Sequence, residues 1–593
     1  MSKFELHKLK AMAVESADLT STARELAERD RDYYDEHQWT AEEIAALKAK
    51  KQPVITMNRI KRKVDAMVGI EQQSRVDPRA YPRNPQDEGA ADAATKALVF
   101  VDDNTRFDSK KSACFENMIV EGYGGVEVGV EEKRGKFEIT INRLRWEEIF
   151  FDPHSREKDF SDAQYLGVMK WMSLDAALSM YQDSYDGDDL EEVLTSDMST
   201  SQDGTTFEDR PYESNAFRWV DKRLRRVRVA QAYYKRGGVW YLAIYTGGGE
   251  ISHDVSPYVD EDGQPTCPIH LMTAYIDREN HRYGVVRSMI SAQDEINKRR
   301  SKALHFFSAR QTMGVKGAVD SVSGLKRELS DPNGHVEINI EQFEDSARAG
   351  IRPFDVMPTN DLGASQFSML NEAKQEIDMI GPNASLLGQL SGDQSGRAIM
   401  AQQQAGFAEL APIYDSLRDW NLRVYRAIWE RIKQYWTEER WIRVTDSQGS
   451  TDFIGLNQPT GQMQYTMTEQ GPAIVPVIEN AVAEMDLDII IDDAPDHVTL
   501  QHEAFEQLTQ LAQAGIQIPP EMLIENSSVR NKAELLKKME EQRQQAMQAQ
   551  QASMQMEMQK TQVEMEKTQS ETEENKADAF KKFTEANRSA LGY

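Results

Sequence analysis

The chain of 593 residues has two cysteines, Cys114 and Cys267. They are too few for a disulfide framework and too far apart for zinc-finger spacing, which suits folding in a reducing cytoplasm as buried, small apolar groups. No run of 18 or more apolar residues occurs, so a membrane-spanning helix is excluded. The opening MSKFELHKLKAMAVE lacks the apolar segment of a signal peptide, and the protein is expected to be neither exported nor membrane-embedded. Basic residues are in deficit: 70 Lys and Arg face 98 Asp and Glu, for a net charge of -28. Such a charge repels nucleic acid at long range, which argues against a conventional DNA binder. It does not exclude a conduit for DNA, because strong phosphate contacts would impede passage.

Several catalytic signatures are also missing. There is no GxxxxGKS/T phosphate loop, no HExxH and no GxSxG, and Cys267 with His270 lacks the further ligands that zinc requires. The strongest enzymatic candidate is the cluster Asp492, Asp493 and Asp496 after the apolar strand Ile489 to Ile491, where carboxylates could hold Mg²⁺ for nuclease chemistry. Acids where a strand gives way to a helix more simply cap that helix and complement its dipole. No enzyme activity and no cofactor or metal is therefore expected.

What is present is a long folded chain. Its hydrophobic fraction of 39% and its 9 Trp, 20 Tyr and 20 Phe argue against wholesale disorder, and its length requires several packed regions. Thr40 and Glu43 form a capping box for a helix from Ala41 to Lys51, and Asn58 caps a second from Arg59 to about Arg75. DPRAYPRNP then reads as a loop. Alternating β-branched residues predict two hairpins, with turns at Lys133 to Gly135 and Arg236 to Gly238. The acid-rich segment from Asp183 to Arg210 between them reads as a solvated loop.

From Gly284 to about Gln311 an uninterrupted helical pattern spans roughly 40 Å. Residues 313–360 form a Gly- and Pro-punctuated module, after which Leu370, Ala373, Ile377 and Ile380 mark a second helix ended by Gly381 and Pro382. A connection with Gly388, Gly392 and Gly396 leads to a helix of about forty residues, capped by Ser395 and kinked by Pro412. Strands at WIRVTD, TDFIGL and DLDIII follow, and the chain is helical to its end, with Met547, Met554, Met558 and Met565 on one face. The fold class is α+β, mainly helical. On the first long helix Lys298, Arg299, Arg300 and Lys302 read as an intersubunit or solvated charged face in preference to a DNA contact. The second carries Glu372 and Glu376, which would make a lumen electronegative.

Five segments in order, YYDEHQWTAEEIAALKAKKQPVITMNRIKRKVDAMVG (33–69), DPHSREKDFSDAQYLGVMKWM (152–172), RYGVVRSMISAQDEINKRRSKALHF (282–306), SGRAIMAQQQAG (395–406) and DIIIDDAPDHVTLQHEAFEQL (488–508), resemble landmarks of the portal proteins of short-tailed bacteriophages. The resemblance implies a ring of twelve copies around a DNA channel at a capsid vertex. By that likeness 1–277 and 397–496 are wing, 278–312 and 361–384 the stem helices, and 313–360 the clip. Residues 385–396 are the tunnel loop, 497–540 the crown, and 541–593 a helical tail or barrel. Ser385, Leu386, Leu387, Gly388, Gln389, Gly392 and Gly396 would approach DNA. Lys316, Lys326, Arg327 and Glu328 would contact the motor and adaptors. The implied partners are further copies of the chain, the terminase large subunit, scaffolding protein, major capsid protein, head-completion and tail adaptors, and double-stranded DNA passing non-specifically. The implied setting is the virion, assembled in the host cytoplasm. A non-ring scaffold or minor virion protein is the alternative of a different class.

Overall fold

The computed structural model describes residues 6–75, 77–83, 88–185, 187, 189–196, 219–221, 223–308, 312–314, 319–331, 333–337, 354–356, 360–381, 396–445, 451–468, 471–485 and 487–490, then 508, 522, 539, 565, 567–586 and 588. They belong to two units, Met1–His497 and Val498–Tyr593. Helix and strand are mixed, and among the described residues no sheet closes into a barrel.

In the first unit α1 (Leu6–Leu19) leads directly through Thr20 into α2 (Ser21–Tyr34). The expected capping box opens α3 (Ala41–Ala49): Glu43 N–H donates to Thr40 Oγ1 and Thr40 N–H to the Glu43 carboxylate, both at 3.2 Å. In α4 (Ile60–Gln73), Ile60, Val64 and Met67 are buried, and Asn58 Oδ1 accepts from Lys61 N–H at 3.1 Å, close to the expected cap. The DPRAYPRNP segment is corrected by the structure, since it contains strand β1 (Arg79–Pro82), paired with the strand Leu487–Ile490. No local pattern announces a two-stranded sheet whose partner lies so far along the chain, and proline is tolerated at such an edge.

Next come α5 (Glu88–Thr105), α6 (Phe107–Val120), β2 (Tyr123–Lys133) and β3 (Lys136–Leu144). Arg134 and Gly135 both have positive φ, 55° and 75°, as a two-residue hairpin turn requires. The chain continues as β4 (Ile149–Phe151), β5 (Tyr165–Ser173), α7 (Leu174–Tyr181), α8 (Leu190–Thr195), β6 (Val220–Asp221), β7 (Arg226–Arg236), β8 (Val239–Tyr245) and β9 (Glu250–Val255). These strands form one antiparallel sheet in the order β4-β5-β7-β8-β9, with β6 beside β7. The second hairpin turn falls on Gly237 and Gly238, as expected. The acid-rich segment is not all loop: α8 buries Leu190 and Leu194 and is capped by Asp189, which accepts from Glu192 N–H at 3.0 Å. The rest of that expected loop, 197–210, lies outside the described residues.

Strand β10 (Ile269–Thr273) joins β2 and β3 in a three-stranded sheet, and β11 (Tyr275–Ile276) pairs with β12 (Arg282–Tyr283). The first long helix is α9 (Val286–Ser308). Between it and α11 (Asn360–Met379) lie β13 (Thr312–Gly314), α10 (Val322–Ser330) and β14 (Phe354–Val356), with β13 paired to β14. The helix α12 (Gly396–Tyr435) has 40 residues with Pro412 inside it. The last strands of the unit are β15 (Arg440–Thr445), β16 (Thr451–Leu456), β17 (Gln458–Thr468), β18 (Gly471–Glu479) and β19 (Leu487–Ile490). The β17–β18 hairpin was not expected, since QPTGQMQYTMT alternates weakly in hydropathy.

The main core gathers α4, α5, α6, the start of α9 and α12 against β2 and β3. In α12, Ile413, Leu417, Val424, Ile428 and Ile432 recur at helical spacing and are buried there, as is Trp436 just past its end. Two further clusters cover the faces of the six-stranded sheet. Alternation sends Tyr165 and Tyr234 into one cluster, with α1, α7 and α8, and Leu166 and Tyr233 into the other. In the second unit, residues 567–586 are helical and exposed throughout, as are Phe580 and Phe583. Of the methionine stripe, Met565 is exposed; Met547, Met554 and Met558 lie outside the described residues, as do Asp492, Asp493 and Asp496 and all of the expected crown but residues 508, 522 and 539.

Candidate functional site

Helices α9 and α11 pack on each other through a small core of their own, in which Ala292 and Ile296 meet Leu370, Ala373 and Ile377. Arg299 donates to Gln366 Oε1 at 3.2 Å and Arg300 lies over the Phe367 ring, whereas Arg59 joins the earlier Gln293 of α9 to the later Asp378 of α11, so rising numbers on α9 meet falling numbers on α11 and the pair is antiparallel. At its root the pair is fastened to the extended chain before α4 by two amides. Arg59 N–H donates to Gln293 Oε1 at 3.0 Å and Gln293 Nε2 donates to the Met57 carbonyl at 2.9 Å. Met57 N–H donates to Asn297 Oδ1 at 2.9 Å, while Asn297 Nδ2 donates to Gln38 Oε1 at 2.7 Å. Gln293 and Asn297 are fully buried and thus satisfy backbone groups as a neighbouring strand would. On the other side Arg59 grips the Asp378 carboxylate at 2.9 Å to each oxygen, and Lys63 Nζ donates to the Asp378 carbonyl near the end of α11. Gly381, with φ of 72°, then ends that helix as expected.

Two residues of the basic run on α9 are ion-paired within the chain. Lys298 pairs with Glu43 at 3.2 Å and Asp294 at 3.7 Å, and Arg299 pairs with Glu295 at 3.0 Å. Lys302 is exposed, as are Glu372 and Glu376 on α11. On α10, Lys326 and Arg327 are exposed and Arg327 lies 3.4 Å from Glu328; Lys316 lies outside the described residues. Ser385, Leu386, Leu387, Gly388, Gln389 and Gly392 also lie outside them, and Gly396 is the first residue of α12. The structure therefore brings the α9 and α11 charges onto one antiparallel pair and leaves their relation to the expected tunnel loop undescribed.

A second node was missed from sequence. Arg282 is buried, and its guanidinium donates to the carbonyls of Ser155 and Glu157 at 3.1 Å and to Thr273 Oγ1 at 2.9 Å, while stacking 3.7 Å from the Phe160 ring centroid. The segments DPHSREKDFSDA and RYG, two of the quoted landmarks, thus meet at one side chain. Asn280, at φ of 68°, reinforces the join by donating to the carbonyls of Pro153 and Ser155. Gly122 lies close by: a Cβ there would come within 2.4 Å of the Tyr283 backbone, at a φ of 105°. An arginine between two landmark segments carries no periodicity, so only the loop pairing exposes its role.

The described residues contain no group of three or more His, Cys, Asp or Glu arranged to hold a metal ion. Cys267 and His270 are each embedded in packing. Burial pushes the Cys267 thiol up to about 12, and burial beside Arg423 and Arg431 pushes His270 down to about 3. No described helix is long and apolar enough to cross a membrane.

These features describe a chain of mixed helix and strand that carries a braced antiparallel helix pair. The chain belongs to the phage P22-like portal protein family, whose model matches residues 10–582. It is also 21% identical over 432 residues to the portal protein of Helicobacter pylori bacteriophage KHP30, a match covering 72% of this chain and 66% of that protein. The family likeness read from the quoted landmarks is thereby borne out.

Proposed function

We propose that copies of this chain form a portal ring at one capsid vertex, through which double-stranded DNA is packaged by the terminase motor and later released. The observation that carries the reading is the family match over residues 10–582, which takes in both helices of the pair and the module between them. In this reading α9 and α11 are the stem, 313–360 the clip that meets motor and adaptors, 385–396 the tunnel loop, and the two parts 1–277 and 397–496 the wing. The crown is 497–540, with 541–593 as its helical extension. The ring is a dodecamer that nucleates procapsid assembly with scaffolding protein, joins the major capsid protein, and carries head-completion and tail proteins. Assembly takes place in the host cytoplasm.

The net charge of -28 supports weak, non-specific contact with DNA. Duplex carries one negative charge per roughly 1.7 Å, so a stem of about 40 Å surrounds about 24 phosphates, and strong neutralisation would hold the polymer in place. Negative-stain electron microscopy with native mass spectrometry of the purified protein tests the reading. Rings of about a dozen copies with a central hole are expected; rods or compact dimers without a hole would support the scaffold alternative instead.

A further inference from the structure

Beside the Arg282 node lies a cavity of about 350 Å³, walled by the Thr20 joint and first turn of α2, the 153–156 loop and the β11–β12 turn. Its lining is cationic. Arg24, Arg156 and Arg282 contribute guanidiniums and His154 and His281 two imidazoles, against the single acid Glu279.

Three observations indicate a negatively charged occupant. Arg282 is 3% exposed, and its hydrogen bonds go to carbonyl and hydroxyl oxygens, with no ion pair to a carboxylate among the described residues. Asp162 and Asp159 act on it at longer range without pairing directly, a buried cation lacking a direct anionic partner is costly, and its Nε, also buried, has no hydrogen-bond partner. The first turn of α2 adds positive potential to the same wall. Its N-cap residue Thr20 gives no side-chain cap; its hydroxyl donates instead to the Ser16 carbonyl at 2.5 Å and accepts from Arg24 Nε at 2.9 Å. Uncapped first-turn N–H groups attract anions. Finally, Arg156 at the rim is exposed and makes no ion pair among the described residues. Its backbone N–H is fixed by Asp162 Oδ2 at 2.7 Å, which holds the loop in place.

We propose that this cavity is an oxyanion site, binding a phosphate or carboxylate group between Arg282, Arg156 and the first turn of α2. The site stands independently of the portal reading. Two sources fit the chemistry, a free phosphate or phosphoryl compound and the carboxylate of an organic acid, and a planar guanidinium edge can donate to either.

The test is isothermal titration calorimetry on the full-length protein at constant ionic strength, with inorganic phosphate and succinate as separate probes. Saturable binding at one site per chain is expected, and Arg156→Glu, an exposed change that leaves the core intact, should weaken it roughly tenfold or more, the scale of one lost charge-assisted hydrogen bond. Arg282→Lys, checked for folding by circular dichroism, should weaken it likewise. Tighter binding of phosphate assigns a phosphoryl ligand, and tighter binding of succinate a carboxylate. Heats that fail to saturate with both probes, or saturable binding unchanged by Arg156→Glu, overturn the proposal.

Discussion

Glu121 shows how single residues balance burial against pairing. Its side chain is wholly buried at the end of α6, Arg31 donates to its Oε1 at 2.5 Å, and its Oε2 has no hydrogen-bond partner. Burial outweighs the ion pair and raises the carboxyl from 4.5 to about 7. Because the folded state holds this proton more tightly than the unfolded state, the sign is fixed. The group's contribution is greatest below pH 4.5 and declines as pH rises through about 7. Chemical denaturation of the wild type and of Glu121→Gln across that window is the measurement. The variant should lack this part of the decline and so gain stability relative to the wild type as pH rises; parallel profiles would show that Glu121 stays ionised in the fold. Asp30, raised to about 6 by burial that outweighs the opposing pull of Arg287 and Arg29, acts in the same direction. Cys114, by contrast, is an inert core thiol, raised to about 12 by complete burial.

Elements carry a different kind of sensitivity. The α9–α11 pair has a core of only a few residues, so each contributes a large share of its cohesion. Ile296→Ala removes a fully buried side chain between Leu370 and Ile377. A loss of about 2–5 kcal/mol is expected from transfer and cavity terms together. Faster proteolysis or amide exchange within 286–308 and 360–379 than in α12 would show that the pair opens locally; uniform change across the chain would mean that it unfolds only with the main core. The root is held differently, since Gln293 and Asn297 bind backbone and Arg59 binds Asp378. Polar clamps of this kind fix the angle at which the pair leaves the body, whereas apolar packing holds the two helices together.

At the scale of the whole molecule, the proposed channel makes charge the property to test. The exposed Glu372 and Glu376 on α11 are the groups whose reversal most directly tests an electronegative channel. In Glu372→Lys with Glu376→Lys, added phosphate contacts should slow DNA passage, lowering packaged genome content in a manner relieved by salt. Unchanged packaging at low salt would place these acids away from the DNA. Lys298 and Arg299 offer a control, because their pairing with Glu43, Asp294 and Glu295 already neutralises them.

Much of this molecule follows from its sequence alone, wherever the signal is local. The Thr40–Glu43 box, the turns at Arg134–Gly135 and Gly237–Gly238, the apolar stripe of α12 and the stop at Gly381 each depend on residues within a few positions, and backbone sterics or helical period dictate the outcome. The five ordered landmarks likewise sufficed for the family. Tertiary structure alone decided what depends on residues distant in sequence. The β1–β19 pairing overrode a proline-rich loop signature, and Leu190 and Leu194 drew part of an acidic segment into a helix. The amides Gln293 and Asn297 became a clamp on Met57, and Arg282 came to lie between two loops. Such contacts leave no periodic trace, because a buried polar group is satisfied by whichever backbone the fold brings beside it.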